Sequence, residues 1–300
     1  MRKIRISVGI PAYNEEKNIT ELLNAIASQK TRIAEIEKIF VINDGSTDST
    51  RQKVEEFIKS GKLRGKIELI NRKFQGGKWV AINTFLKKAK SPILILESAD
   101  NLPGKGCYEL LAKNFLDEKI GIVCSRIIPL NDENTFFGSA AHLMYELHHE
   151  ISLQQPKFGE LIAFRHIIKK IPKTIVDEEE IVSIFRDKNY NLVYNPKAIV
   201  YNKAPENLGD LINQRRRIYC GHLDLKKRKN YEASTLPLSK ILKTAFKKIN
   251  KKNLLPFFIL FEIELLSRTL GYLDYLTNRE KHVKWKQIKS VKNLEIDQTF

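Results

Sequence analysis

The sequence predicts an α/β fold, a mostly parallel sheet with helices on both faces, followed by a helical C-terminal extension. Three observations predict it. Strand-like and helix-like segments take turns through residues 4–128, as βαβ crossovers require. The strand segments include near-continuous apolar runs such as Ile93 to Leu96, which suit strands buried on both faces. Beyond residue 236 the pattern changes to lysine-rich helical segments.

Each element has its own warrant. IRISVGI (residues 4–10) is a strand, and EEKNITELLNAIASQ has helical spacing in Ile19, Leu22, Leu23 and Ile26. EKIFVIN is the second strand, and Ser46, Thr47 and Asp48 are N-cap candidates for the helix RQKVEEFIKS. KIELIN, GGKWVAINTFLKKA and PILILES supply a third strand, a third helix and a fourth strand. YELLAKNFLDE is a further helix and IGIVCSRII a further strand. The apolar run at the N-terminus is too short for a signal peptide and meets Pro11 at once, so the chain is expected to begin directly with a folded strand.

Composition narrows the setting. Three hundred residues are ample for a sizeable core. The three cysteines (Cys107, Cys124 and Cys220) form no CxxC pair, which indicates neither a disulfide framework nor a zinc site and fits a reducing compartment. A net charge of +17 implies an anionic partner or surface: nucleic acid, lipid headgroups and nucleoside diphosphates all qualify. Much of it follows residue 214, in QRRR, KKRK, KKINKK and KHVKWKQIKSVK, so an enzyme core with a basic region behind it is expected.

Ligands of such sheets bind beyond the carboxyl ends of the strands. Those ends read Pro11-Ala12-Tyr13-Asn14-Glu15, Asn43-Asp44-Gly45-Ser46, Asn71 and Glu97-Ser98-Ala99-Asp100, and topology brings them to one rim. Carboxylates are costly to bury without a partner, so the last strand ends at a metal or substrate, or in an ordinary Asp-Asn turn closed by Pro103. Neither GxGxxG nor GxxxxGK[ST] is present, which argues against the usual dinucleotide and P-loop sites. Asp44 is placed to bond a base or ribose, or else caps a turn. Gly76-Gly77-Lys78, at a helix start, either seats a phosphate on its amides with Lys78 adding charge, or forms a plain glycine turn.

In order and spacing, IPAYNEEKNITELL, VINDGSTDST, GGKWVAIN and the strand ending in SADNLP resemble the nucleotide-sugar domain of family 2 glycosyltransferases with the GT-A fold, a Rossmann-like, mostly parallel sheet. GELIAFR is similar to that family's acceptor-side loop, and VDEEEIVSIFRDKNYNLVYNPKAIVY to the segment carrying its catalytic base. QRRRI is similar to the QxxRW motif of the processive and membrane-associated branch. The resemblance covers about residues 4–225. It divides the chain into a catalytic domain (1–225, with a nucleotide-sugar half at 1–104 and an acceptor half at 105–225) and a basic helical region at 226–300.

The resemblance implies an inverting glycosyltransferase of hexosyltransferase type, using a nucleoside diphosphate sugar. Pro11, Tyr13, Glu15 and Asp44 would hold the donor's nucleoside, with Gly77, Lys78 and Ser98 also on the donor side. Asp100 would be the second acid of the DxD motif, coordinating the Mg²⁺ or Mn²⁺ that bridges the diphosphate. Glu178, or Asp177 beside it, would take the proton from the acceptor hydroxyl. Gly159, His166, Gln214 and Arg217 would face the acceptor or the diphosphate. The sequence departs from the family at three places. Ser98 replaces the first DxD acid, leaving Asp100 alone or with Glu97, whose side chain is expected on the other face; the base position holds Glu where Asp is usual; and Ile218 replaces the Trp of QxxRW.

Two regions stay open. His142, His148 and His149 fall on a helix, GSAAHLMYELHHEISLQ, as a metal site, a polar face or an acceptor contact. In LSKILKTAFKKINKK, Leu238, Ile241, Leu242, Ala245, Phe246 and Ile249 share one face and five lysines the other, the pattern of an interfacial helix or of one docked on the core. The apolar run of NLLPFFILFEIELLSRTLGYLDYL is too short to span a bilayer, and Glu262, Glu264, Arg268 and Asp274 would be costly at its centre. It is expected as a peripheral or dimer-forming helix. The expected setting is therefore the inner face of the cell membrane, peripheral and cytoplasmic, with a lipid-linked or cell-surface glycan acceptor and an anionic membrane surface as partners. A catalytically silent donor-binding relative is the alternative suggested by Ser98. A nucleic-acid partner is disfavoured, because no aromatic-basic platform, zinc or helix-turn-helix signature is present.

Overall fold

The computed structural model describes residues 3–249, 254–277, 282–284 and 291. Its first half follows the expected alternation: β1 (Ile4–Ala12), α1 (Ile19–Ala27), β2 (Ala34–Asn43), α2 (Thr50–Lys59), β3 (Ile67–Asn71), α3 (Lys78–Lys88) and β4 (Ile93–Glu97). β2 pairs in parallel with β3 and β1, and β1 with β4, so their carboxyl ends share one rim. Alternation of side chains explains the continuous apolar run of β4: Ile93 and Ile95 join the core under α1, while Leu94 and Leu96 join the one under α3. Gly9 permits that second packing, since a Cβ there would lie 2.3 Å from the Phe85 ring. β1 runs two residues beyond the expected strand. Its pairing with β4 stops at Gly9, so Pro11 interrupts no ladder on that side.

The second half contributes β5 (Asn101–Pro103), α4 (Cys107–Lys113), β6 (Ile120–Pro129), α5 (Phe136–Gln154), β7 (Leu161–Arg165), α6 (Asp177–Asp187), β8 (Asn191–Asn202) and α7 (Leu208–Lys229). Among the described residues these complete a sheet of order β3-β2-β1-β4-β7-β6-β8-β5. The expected boundary at 225 falls inside α7. GELIAFR, expected as a loop, supplies a central strand instead, because Leu161 to Phe164 are apolar and fully buried between β4 and β6.

β7 is antiparallel to both neighbours, and this corrects the reading of His166. The start of β7 lies at the rim, whereas its end lies at the opposite edge of the sheet. There His166 N donates to Pro92 O, and its Nε2 lies 3.1 Å from Leu86 O. His166 therefore does not face the cleft in which an acceptor would sit.

Two further helices, α8 (Leu238–Lys248) and α9 (Leu254–Thr277), cover one side. α8 turns Leu242 and Ala245 toward Leu143 and Leu147 of α5 and Phe257 of α9. Its apolar face docks on protein and is not free for a bilayer. Phe246, assigned to that face, is instead 74% exposed. Among the described residues no helix is long and apolar enough to cross a membrane. Most of the basic run KHVKWKQIKSVK lies outside the described residues.

Candidate active site

The rim loops are stitched to one another. Asn14 N donates to Ser46 Oγ (2.9 Å), Thr47 N donates to Asn14 Oδ1 (2.8 Å), and Glu15 N donates to Thr50 Oγ1 (2.7 Å). Of the three N-cap candidates, Asp48 alone serves the helix, accepting from Thr50 N at 3.0 Å. Ser46 and Thr47 join loop to loop.

A cleft opens on this rim. Pro11, Tyr13, Glu15 and Asp44 line it from the first two loops, and Gly77, Lys78, Ser98 and Asp100 from the next two. Gly159, Glu178, Gln214 and Arg217 line it from the second half. Asp177 and His166 are not on its wall.

Asp44 organises this side of the cleft. Its carboxylate accepts from Gly77 N (2.9 Å), Gly76 N (3.1 Å) and Arg72 Nη1 (2.6 Å). Burial raises its pKa, and the two amides and Arg72 oppose that rise. The reading in which the Gly76 and Gly77 amides seat a phosphate is therefore corrected: both already donate to a carboxylate. Gly77 holds φ +98°, and a Cβ there would meet Val283 O at 2.9 Å, so the tight entry to α3 needs glycine.

Lys78, the first residue of α3, reaches across the cleft to α6. Its ammonium donates to Glu178 Oε1 and, at 3.2 Å, to Ser98 Oγ. The four consecutive acids Asp177 to Glu180 occupy the first turn of α6, where the helix dipole favours negative charge. The fold gives them different surroundings. Glu179 accepts from the Tyr231 hydroxyl (2.6 Å), and Glu180 from Arg228 Nη2 (2.6 Å). Both Asp177 oxygens are buried with no hydrogen-bond donor among the described residues.

These environments separate the two candidate bases. Burial, then the charge of Glu178, pushes the Asp177 carboxyl up to about 7. Burial would raise Glu178 too, but the Lys78 ammonium and its hydrogen bond hold that carboxyl below the usual range. The acid that faces the cleft is thus the one that stays ionised at neutral pH. It is placed to accept a proton.

At the end of β4, Glu97 is fully buried and accepts from the Tyr108 hydroxyl (3.1 Å), on the other face of the strand as expected. The cleft holds a second acid beside Asp100 that the sequence reading missed. Burial, then repulsion from Asp100, pushes the carboxyl of Glu160 up to about 7. Its only sequence signal is its place after Gly159, at the rim end of β7. Among the described residues no cluster of three or more His, Cys, Asp or Glu is arranged to hold a metal. Asp100 and Glu160 offer hard oxygen donors to Mg²⁺ or Mn²⁺, and further ligands would have to come from a bound diphosphate. The histidines of α5 do not converge: His142 Nε2 meets Asn131 O (2.9 Å), and His149 Nδ1 meets the Tyr194 hydroxyl (2.7 Å). His148 alone of the three lines the cleft, joined by His222 of α7, which the sequence reading did not single out. Burial, with Lys157 and Arg215 nearby, holds both imidazoles neutral and pushes His222 down to about 3.

Residues 7–186 match the family model described as Glycosyl transferase family 2. The chain is 36% identical over 115 residues to the poly(ribitol-phosphate) beta-N-acetylglucosaminyltransferase TarS of Staphylococcus aureus, a match covering 38% of this chain and 19% of that protein. It is 25% identical over 224 residues to the probable glycosyltransferase YdaM of Bacillus subtilis, covering 67% of this chain and 51% of that one. The chain thus spans about half or less of these relatives' length. Among solved structures, the mannosyltransferase PcManGT from Pyrobaculum calidifontis, in complex with GDP-Man and Mn²⁺, is similar at TM-score 0.69 and 20% identity, over 93% of this chain and 89% of that one. Glucosyl-3-phosphoglycerate synthase from Mycobacterium tuberculosis, in complex with Mn²⁺, UDP and phosphoglyceric acid, follows at TM-score 0.53 and 20% identity, over 78% and 80%. At that identity the two structures establish the shared GT-A fold.

Proposed function

We propose, from the premise that the chain belongs to glycosyl transferase family 2, that it is an inverting transferase using a nucleoside diphosphate sugar, with Glu178 as its base. The observation that carries this is the Glu178 carboxyl on the cleft wall, sharing that cleft with the loops that end β1, β2 and β4 and paired with Lys78. The donor class is supported by the structural neighbours, whose complexes contain GDP-Man, UDP and UDP-GlcNAc.

The nucleoside lies against Pro11, Tyr13, Glu15 and the Asp44 turn, which sets the diphosphate toward Asp100, Lys78 and Arg217. Asp100 and Glu160 would hold a divalent cation, which supplies Lewis acidity toward the leaving diphosphate. Glu178 accepts the proton of the acceptor hydroxyl as its oxygen attacks the anomeric carbon, while the carbon–oxygen bond to the diphosphate breaks on the opposite side. Protonation removes the charge of Glu178, so the positive charge of Lys78 is released toward the leaving group at the moment its negative charge develops. Gly159 and Gln214 face the acceptor side. The acceptor is a hydroxyl of a lipid-linked or cell-surface glycan, presented at the inner face of the cell membrane, a reading supported by the net charge of +17.

The test is Glu178→Gln. It should leave nucleotide binding intact and lower turnover by about 10² to 10⁴. Normal transfer by this variant overturns the assignment, and a wild-type protein that binds donor but transfers and hydrolyses nothing would be the silent relative.

A further inference from the structure

We propose that the outward face of α9 is a docking surface for an anionic lipid bilayer, an inference that rests on the membrane side of the reading above and names the surface. A surface helix ordinarily buries its apolar stripe and exposes its charges. α9 buries Phe257 and Ile263, but it also turns charges inward and apolar side chains outward. Glu264 turns inward to Arg215 (2.8 Å) and Arg268 (2.7 Å), and Asp274 turns inward to Arg216 Nη2 (2.6 Å). The side facing away carries Leu255 (67% exposed), Phe258 (56%), Leu266 (48%), Leu273 (50%) and Leu276 (60%), one stripe at helical spacing. Glu262 is the one charged residue of α9 on that exposed side. A contiguous apolar patch of this kind marks an interaction site.

Its chemistry selects lipid over a second copy of the chain. α8, which shares an apolar cluster with α9, exposes Phe246 together with Lys243 and Lys247. Lysines beside an apolar face complement anionic headgroups, and would repel the same lysines on another chain of charge +17. Lys248 is excluded from this role, because it bridges Glu150 (2.6 Å) and Glu146 (3.2 Å). The helix lies on the surface, since no described helix is suited to cross a bilayer. Beneath the docking face, an apolar cavity walled by Leu147, Leu242 and Phe257 shares Met144, His148 and Arg215 with the catalytic cleft. Met144, His148 and Arg215 therefore border both spaces.

The experiment sediments the full chain with vesicles of phosphatidylcholine alone or mixed with phosphatidylglycerol. The mixed vesicles should pellet the protein, less so as salt rises. Leu266→Glu with Leu273→Glu should lower partitioning about tenfold or more per leucine, with thermal unfolding and nucleotide affinity unchanged because both side chains are exposed. Lys243→Glu with Lys247→Glu should lower it about fivefold per lysine. Wild-type protein that stays in solution, or a leucine variant that pellets as wild type does, overturns the proposal. So does a wild-type dimer in gel filtration that the leucine pair splits, since a second copy would then cover the face. Glu178→Gln separates the two readings: it should still pellet with mixed vesicles, so a failure of vesicle binding sinks the docking face alone, while normal transfer by that variant sinks the catalytic assignment alone.

Discussion

Replacing Lys78 with methionine tests whether the Lys78–Glu178 pair sets the ionisation of the base. The side chains of Lys78 and Glu178 are only 8% and 13% exposed, so the pair is nearly dry. Removing one partner of a buried pair costs about 3 to 5 kcal/mol; an open cleft lets water reach Glu178, which argues for the lower end. The sign follows from the shifts. Glu178 is held below its ordinary 4.5, so its share of stability is present above that pH and is lost as pH falls through the depressed value. Lys78 is held above its ordinary 10.5, since burial is outweighed by Glu178 and Asp177, so its share is present below that pH and fades only in strong alkali. The gap between wild type and Lys78→Met should therefore be widest between about pH 5 and 10 and should close in acid. Freed of its counter-charge, Glu178 should titrate higher, moving the acid limb of the kcat/KM profile to higher pH, while Lys78→Arg should restore both. Urea titrations across pH and the pH–rate profile measure the two effects. A variant with wild-type stability at pH ~8 and an unmoved acid limb would refute the idea that Lys78 sets the state of the base.

Other predictions address the rest of the cleft. Asp177→Asn should keep most of the activity that Glu178→Gln loses; if Asp177→Asn is the inactive variant in a transfer assay, the base is one residue earlier. Asp44→Ala leaves Arg72 and the amides of Gly76 and Gly77 without their acceptor. It should cost about 1 to 3 kcal/mol per buried group in urea titration and weaken nucleotide binding with or without metal; unchanged calorimetric affinity would make Asp44 a purely structural turn residue. Asp100→Asn and Glu160→Gln should each weaken donor binding in the presence of Mn²⁺ more than in its absence, and calorimetry showing equal losses would count against the carboxylate pair. Stability of the ligand-free protein should fall as pH rises from about 6.5 to 8. Glu160, Asp177 and Glu179 are raised to about 7, so the stability they hold in acid is lost through that value, and the depressed His148 and His222, whose contribution levels off just above their ordinary 6.5, offset only part of that loss. A melting temperature that is flat or rising over this window would contradict the buried acids.

Period and strand ends were legible in the sequence. The four apolar positions of α1 and the continuous run of β4 report which faces are buried, because periodicity is local and each residue's face follows from its neighbours in the chain. The cleft residues from Pro11 to Asp100 followed with little more, since parallel strands bring their carboxyl ends together whatever the side chains do. What the tertiary structure decided is everything set by contacts remote along the chain. LIAFR reads as apolar but carries no mark of direction, and its reversal against β4 placed Glu160 in the cleft and His166 outside it. The family resemblance pointed to Glu178, or Asp177 beside it, within the acid run, yet Lys78, Tyr231 and Arg228 decided how Glu178, Glu179 and Glu180 are held. The sequence shows that α9 has charges and leucines, but which of them turn inward depends on arginines of α7 that meet it only after folding. A charge faces the place where its partner stands, and a linear pattern of apolar residues does not contain that position.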